Sequence, residues 1–396
     1  MRGGKTTQKG GRTPILSYDV IVVGAGSMGM SAGCYLAQRG VKTLLIDSFD
    51  PPHTNGSHHG ETRLIRHAYT GSPTYTNMAI RADQLWRELE EASGETLLIR
   101  CGVLNLGAEG VPSLDDKRKR AADFGLAVEW LDADEIRKRW QGLAIPDSFR
   151  GLYEREAGCL LSDACVLAYR RQALAHGAVL LPFTPVREIK VESGGVTVYT
   201  KAGDFTADKL ILSLGAWFST ADRLIALPIR AVRKAVAWFE ADDTLFDAER
   251  FPGFTLHDAA GGYYGFPSIR GSGVKIGRHD AGQPWKPGDP FEPFGHDRQD
   301  EEDLRRALET YMPLAAGRLL RGTACKYEMT PDEHFIIDRH PEHRHVYLAG
   351  GFSGHGFKFA SVVGEILADL VTKEETEQDI APFALSRFGQ ASRTTE

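Results

Sequence analysis

Asp19-Val20-Ile21-Val22-Val23-Gly24-Ala25-Gly26-Ser27-Met28-Gly29 is the stretch from which the rest of the chain can be placed. Four consecutive β-branched residues, Val20 to Val23, read as a parallel strand buried on both faces. The glycines that follow have separate duties. Gly24 permits a tight turn, Gly26 lets a pyrophosphate approach the main chain, and Gly29 lets helix and strand pack closely. Ser27 opens a helix whose N-terminus faces the phosphates. The spacing predicts a helix from Met28 to Gln38, ended by Gly40, and a second strand from Val41 to Ile46. Asp47 stands at the tip of that strand, where a carboxylate can accept from a ribose 2′-hydroxyl and disfavour a 2′-phosphate. This β-α-β unit points to an ADP-containing dinucleotide without saying which one.

Working outward, helices are expected over Met78–Leu89, Asp115–Arg139, Ser162–His176 and Glu301–Tyr311. Val186–Tyr199 reads as a hairpin around Ser193-Gly194-Gly195, and Ala207–Leu214 as another buried strand. Leu227–Gly277 alternates with aromatics, as an antiparallel sheet would, and Ala281–Gln299, rich in Pro and Gly, is expected to be a surface loop. His345–Ala349 is the last strand. It runs into the glycine-rich turn Gly350–Gly356 and then a helix from about Phe359 to Val371. Dinucleotide-type units at both ends with a mixed sheet between them imply an α/β (α+β) fold of two interwoven domains. The expected division is 15–98, 160–228 and 325–388 for the dinucleotide domain, and 99–159 with 229–324 for the substrate domain. A leader over 1–14 and a tail over 389–396 lie outside both.

Composition narrows the function classes. With 396 residues, 42% hydrophobic and 25% charged, the chain is an ordinary globular protein rather than a disordered one. Its 47 basic and 53 acidic side chains leave a net charge of −6, which gives no footing for nucleic acid or an anionic membrane. No apolar run approaches the roughly 20 residues that span a bilayer. The leader carries Arg2, Lys5, Lys9 and Arg12 without an apolar stretch behind them, so it is read as a tail or cloning remnant, not a secretory signal. Five scattered cysteines suit a reducing, cytoplasmic location. His340, Glu342, His343 and His345 lack tetrahedral ligand spacing, so no metal is expected there.

Several longer motifs carry a resemblance. They are Asn55-Gly56-Ser57-His58-His59-Gly60-Glu61-Thr62-Arg63-Leu64-Ile65-Arg66-His67-Ala68-Tyr69, Tyr263-Tyr264-Gly265-Phe266-Pro267, Lys275-Ile276-Gly277-Arg278-His279, Pro331-Asp332-Glu333-His334-Phe335-Ile336-Ile337-Asp338 and Gly354-His355-Gly356-Phe357-Lys358-Phe359. Together they resemble the monomeric sarcosine oxidase and N-methyltryptophan oxidase family over Tyr18 to Phe388. The family fold is D-amino-acid-oxidase-like, with a Rossmann-type FAD-binding domain interleaved with a mixed-sheet substrate domain. Val232–Trp238 and Pro382–Phe388 are closer to the N-methyltryptophan branch.

The resemblance implies roles. Cys325 would carry the FAD through a thioether to its 8α carbon, helped by cations from Arg321, Lys326 and the Arg63 region; the alternative is an inert buried cysteine. Gly24, Gly26, Ser27, Gly29, Asp47, His58, Thr62, Gly354, Gly356 and Lys358 would contact the cofactor. Arg66 and Lys358 would hold the substrate carboxylate, a fork and a point charge. Lys275 would activate oxygen, since a cation about 4 Å from oxygen being reduced stabilises the new charge by roughly 4 kcal/mol at a dielectric near 20. The competing reading is a strand lysine facing solvent, because Val274 and Ile276 flank it. Arg63 would lie by the flavin ring, and Tyr264, His279, Tyr327 and His355 would line the substrate side in orienting roles. Proton release from the amine goes to water or to His279. Thr255 falls where sarcosine oxidases place a methionine, which leaves room for an indole and predicts a higher kcat/KM for N-methyl-L-tryptophan than for sarcosine.

The implied reaction is oxidative demethylation of an N-methyl amino acid with O2 and water, yielding a primary amino acid, formaldehyde and hydrogen peroxide. A monomer is implied as well. Three rivals stand beside this reading: a flavin dehydrogenase with a non-oxygen acceptor, a non-catalytic dinucleotide-binding protein and a nicotinamide-linked imine reductase.

Overall fold

The computed structural model describes residues 16–108 and 112–389. The expected leader 1–14 lies outside the described residues, as does the expected tail apart from its first residue. The opening unit forms β1 (Leu16–Val23), α1 (Ser27–Gln38) and β2 (Thr43–Ile46). β1 and β2 run parallel, with Val20 opposite Thr43 and Val23 opposite Ile46. Parallel strands Asp204–Leu212 and Val346–Gly350 extend the sheet on the other side of β1. Val179–Leu181 closes it beside β2. The hairpin Val186–Glu192 with Gly195–Thr200, and the strand Ile336–Arg339, complete eight strands. α1 packs between helices Ser162–Ala175 and Ala360–Lys373 over one face of this sheet, which is why its Met30, Cys34 and Leu36 are all fully buried.

The helix expected from Met78 begins earlier, at Pro73. Ser72 caps it by accepting from the Thr74 amide, proline at the first helical position needs no N–H partner, and Gly94 in the left-handed region ends it. Asp115–Arg139 is not one helix. Pro112–Asp123 and Ala133–Arg139 are separated by the strand Val128–Asp132, and Asp132 opens the second helix with a capping box to Glu135. Nor is Ala281–Gln299 wholly loop. Gln283–Trp285 pairs with Ala231–Arg233, and Trp285 is buried against Trp217 and Phe291.

The second sheet has nine strands. Its centre runs Arg230–Phe239, Val274–Arg278, Gly261–Phe266, Gly253–Asp258, Val103–Ala108 and Phe149–Glu154, antiparallel except where Gly253–Asp258 meets Val103–Ala108. Leu319–Met329 pairs along the length of Arg230–Phe239. The expected boundary at 324/325 therefore cuts through a continuous ladder, and the strand belongs whole to this sheet.

Alternation gives this sheet two different faces. Leu104, Leu106, Phe254, Leu256, Val274, Ile276, Ala237 and Phe239 form one apolar face with Leu304, Leu308 and Tyr311 of the helix Gln299–Tyr311. The ladder puts Asn105, Thr255, His257, Tyr264, Lys275, Gly277, Lys234 and Cys325 on the opposite face. A small sheet of Thr62–Ile65, Gly158–Leu161 and Leu98–Ile99 bridges the two large ones.

Candidate functional site

A cavity of about 1000 Å³ runs from the C-terminal end of β1 to the polar face of the second sheet, at the upper end of the range for small-molecule sites. At its first end the glycine turn leaves no room for side chains. Gly24 has φ +89°, and a Cβ there would fall 2.4 Å from the Ser213 carbonyl oxygen. A Cβ on Gly29 would fall 2.0 Å from the Gly24 oxygen. Gly26 caps α1 without any side-chain hydrogen bond, so the first amides of the helix are left for a ligand. Asp47 Oδ2 accepts from the Ala25 amide at 2.8 Å, which ties the turn to the tip of β2. His58 Nε2 accepts from the His53 amide, and burial pushes this imidazole down to about 3, so it is a neutral wall near neutral pH. Glycine cradle, open helix terminus and strand-tip carboxylate fit the ADP half of a dinucleotide.

Two arginines three residues apart have opposite situations. Arg63 is clamped by the main-chain oxygens of Ser57, His59 and Thr62 at 2.6–2.7 Å. Arg66 has its Nε buried with no hydrogen-bond partner, and its guanidinium lies 5.5 Å from the Tyr69 ring centre. Lys358 donates to the Tyr69 hydroxyl at 2.6 Å and to the His355 oxygen at 2.9 Å. Burial, and then the charge of Arg66, hold its ammonium well below the ordinary range. Two basic side chains within 5.5 Å of one tyrosine ring centre, both lining the cavity, can receive a carboxylate.

Lys275 is 2% exposed, so the strand alternation that flanks it with apolar residues turns it into the cavity rather than toward solvent. Its Nζ donates to the Gly60 oxygen and to the Thr62 oxygen and hydroxyl at 3.2 and 3.1 Å. Burial and then Arg63 hold it well below its usual value. Cys325 is buried on the same face. Burial raises its thiol, while Arg63, Lys275, Lys234 and Lys326 pull the other way. Arg321, expected among those cations, is instead a bidentate partner of Glu61 and stacks 4.0 Å from the Trp238 ring centre. Tyr327 donates to the Tyr264 hydroxyl at 3.3 Å, and the His279 ring packs 5.7 Å from that of Tyr327. Burial and then Lys234 push His279 down to about 4, so it is neutral at pH 7. His355 Nε2 meets the Glu333 oxygen at 3.2 Å, and its Nδ1 is buried without a partner. Gly354 and Gly356 line the cavity beside it.

The sequence reading missed Tyr69, Asn105, Lys117, Lys234, His257 and Glu328, all near or in this cavity. Two of them had a usable signal, since His257 is two residues from Thr255 and Lys234 lies two residues before Val236, on one strand face. Lys234 donates to the His279 and Ala281 oxygens and is pushed down to about 8 by burial. Glu328, buried beside the Gly351 amide, is raised to about 8. The histidines near His340 form a turn: His340 Nδ1 accepts from the Glu342 and His343 amides.

Comparisons with known proteins agree with this geometry. A profile of the family described as FAD dependent oxidoreductase matches residues 19–370. Over 374 residues the chain is 48% identical to a monomeric sarcosine oxidase of Bacillus sp. (strain NS-129), covering 93% of this chain and 97% of that protein. It is 40% identical over 376 residues to an N-methyl-L-tryptophan oxidase of Salmonella heidelberg (strain SL476), covering 95% of this chain and 100% of that one. Whole-chain identity is thus higher to the sarcosine oxidase than to the N-methyl-L-tryptophan oxidase, the reverse of the branch expected from Val232–Trp238 and Pro382–Phe388. Among solved structures, NikD, described as an unusual amino acid oxidase essential for nikkomycin biosynthesis, aligns with a TM-score of 0.83 at 24% identity over 93% of this chain and 97% of that one. L-proline dehydrogenase from P. horikoshii aligns at 0.84 and 21%, over 95% and 98%. At those identities the likeness concerns the fold.

Proposed function

The chain belongs to the FAD dependent oxidoreductase family, and within it we propose an oxidase that demethylates a small N-methyl amino acid with O2 and water, releasing the primary amino acid, formaldehyde and hydrogen peroxide. The observation that carries this reading is Arg66, half-buried, which lines the cavity with a buried, unpartnered Nε beside Lys358. FAD, when bound, would supply the hydride acceptor for the N-methyl carbon and the route by which electrons reach O2.

The residues of this chain supply the rest. Gly24, Gly26, Ser27, Gly29, Asp47, His58 and Thr62 hold the cofactor. Arg63, tied to three main-chain oxygens, fixes the loop that covers it. Cys325 would hold the ring covalently at its 8α carbon; burial raises its thiol, and the surrounding cations that oppose this rise support that role. Arg66 and Lys358 hold the substrate carboxylate, while Tyr264, Tyr327, His279 and His355 close the cavity around the N-methyl group. The amine proton leaves to water or to the neutral His279. Lys275 keeps a cation where oxygen is reduced.

The pocket wall argues for a small side chain. Thr255 leaves space, but its hydroxyl donates to Asn105 Oδ1 at 3.0 Å, and Lys117 and His257 line the same region. An indole there would lie against Lys117 and His257 and leave their free hydrogen-bonding groups unmet, which favours a small side chain over the N-methyl-L-tryptophan expected from the sequence. The enzyme works as a cytoplasmic monomer in this reading. All five cysteines are free, and among the described residues no helix is long and apolar enough to cross a membrane.

The test is peroxide formation in air from sarcosine without added acceptor, together with the absorbance of acid-precipitated protein. Yellow colour in the precipitate, lost in Cys325→Ser, is the expected result. Flavin washing free of the unmutated protein removes the covalent link. Sarcosine oxidation only with an added acceptor removes the oxidase assignment.

A further inference from the structure

Lys117 belongs to the charged run Asp115-Asp116-Lys117-Arg118-Lys119-Arg120 on the helix Pro112–Asp123. Its neighbours in that run are mostly exposed, but Lys117 is 5% exposed and lines the cavity. Its only hydrogen bond among the described residues is to Asn105 Oδ1, at 3.4 Å. That same oxygen accepts from Thr255 Oγ1, and Thr255 stands opposite Asn105 in the sheet, with His257 two residues further on. An ammonium has three N–H groups, so two are left without acceptors inside a cavity.

A buried cation without a counter-ion is costly and calls for an explanation. Glu154 partly compensates Lys117 in charge, but neither of its oxygens bonds the ammonium: Oε2 accepts from the His67 and Ala68 amides with the His67 imidazole 3.7 Å away, and Oε1 is buried without a hydrogen-bond partner. Burial and the facing charge of Arg66 push Lys117 down to about 7. His257 is neutral, pushed down to about 4 by burial and by Lys117. Besides Arg63 and Lys275, which are held by main-chain oxygens, the cavity is lined by Arg66, Lys358 and Lys117. One carboxylate satisfies Arg66 and Lys358 and leaves Lys117 unanswered.

We propose that Lys117, with Asn105, Thr255 and His257, is a second anion subsite, and that the preferred substrates are N-alkyl amino acids whose side chain ends in a carboxylate. The proposal rests on the reading that Arg66 and Lys358 hold the α-carboxylate. The side-chain carboxylate accepts from the free N–H groups of Lys117, with the neutral His257 ring as an additional donor. Binding a dianion favours the charged form of Lys117 and gives its free N–H groups an acceptor, which a sarcosine-like monoanion does not do.

Succinate and butyrate share a four-carbon chain and differ by one carboxylate, so they isolate this subsite without turnover. Their dissociation constants for the holoenzyme, with glutarate as a longer diacid, are read by calorimetry for wild type, Lys117→Met and Arg66→Ala. At least one diacid should bind tenfold or more tighter than butyrate in wild type. Lys117→Met should shrink that ratio by tenfold, and should shrink the kcat/KM ratio of N-methyl-L-aspartate over sarcosine similarly. Diacids binding no tighter than butyrate in wild type overturn the proposal, and that comparison needs no variant. A ratio unchanged by Lys117→Met overturns it too. Butyrate binding that ignores Arg66→Ala instead overturns the underlying carboxylate reading, and the subsite with it.

Discussion

The two ends of the cavity are built from different materials. The nucleotide end is main chain and absence of side chain: Gly24 and Gly29 leave no room for a Cβ, and α1 opens on uncapped amides. The other end gathers basic side chains: Lys117, Lys275 and Lys358 are buried in its lining, with Arg66 half-buried among them and Lys234 buried nearby. One end selects by shape and the other by charge balance. Substitutions should therefore fail abruptly at the first end and in graded, substrate-dependent fashion at the second.

The largest effect should come from Gly29→Ala. With its new Cβ 2.0 Å from a carbonyl oxygen, β1 and α1 must part, at a cost of about 3 kcal/mol or more. The purified variant should be colourless, and a yellow, normally stable variant would show that the turn yields more than its packing implies. Arg66→Ala comes next. It should lower kcat/KM for every carboxylate substrate by about 2–4 kcal/mol, because the carboxylate loses a charge-assisted fork. Steady-state kinetics on two substrates check this, and a loss confined to one of them would break the idea of a common carboxylate receptor.

Lys275→Met should slow flavin reoxidation by roughly two orders of magnitude, equivalent to about 3 kcal/mol, and reduction by substrate far less. Stopped-flow traces with an unchanged oxygen step would return Lys275 to a structural duty, holding the Gly60 and Thr62 oxygens. The smallest effect concerns stability. Burial opposes charge on His67, but Asp83 and Glu154 outweigh it and raise the imidazole from 6.5 to about 9. Its contribution is complete below about pH 6.5 and is lost as pH rises through about 9. It amounts to about 2 kcal/mol, since Asp83 also serves Arg87 and Arg100. Urea unfolding at pH 6 and pH 9.5 should show that loss in wild type and not in His67→Asn; a parallel loss in both would exclude His67 as its source.

What could be read from the chain divides along the same line. The glycine turn, β1 and the flanking helices are local, and residues a few positions apart specify them. Lys275 was found because its motif is long, although alternation alone left its direction undecided between solvent and cavity; only the strands beside it decide that. Lys117 had no signal, since nothing in a run of two acidic and four basic residues says which one turns inward. The strand inside Asp115–Arg139 was hidden for a related reason. Val128, Trp130 and Leu131 are too few apolar residues to stand out among charges, and their pairing partner, Phe149–Glu154, lies beyond the next helix.

The strict division of faces in the second sheet has a practical consequence for engineering. Positions 105, 255 and 257 sit in register on the cavity side, while 104, 106, 254 and 256 meet the helix Gln299–Tyr311 side of the core. Randomising the first set together should re-tune which side chain is accepted while the fold retains its apolar support. A single-residue insertion in any of these strands would exchange the sets, bringing leucine and phenylalanine into the cavity and polar groups into the core. Libraries for new substrates on this scaffold should therefore vary alternate positions across neighbouring strands rather than consecutive positions along one.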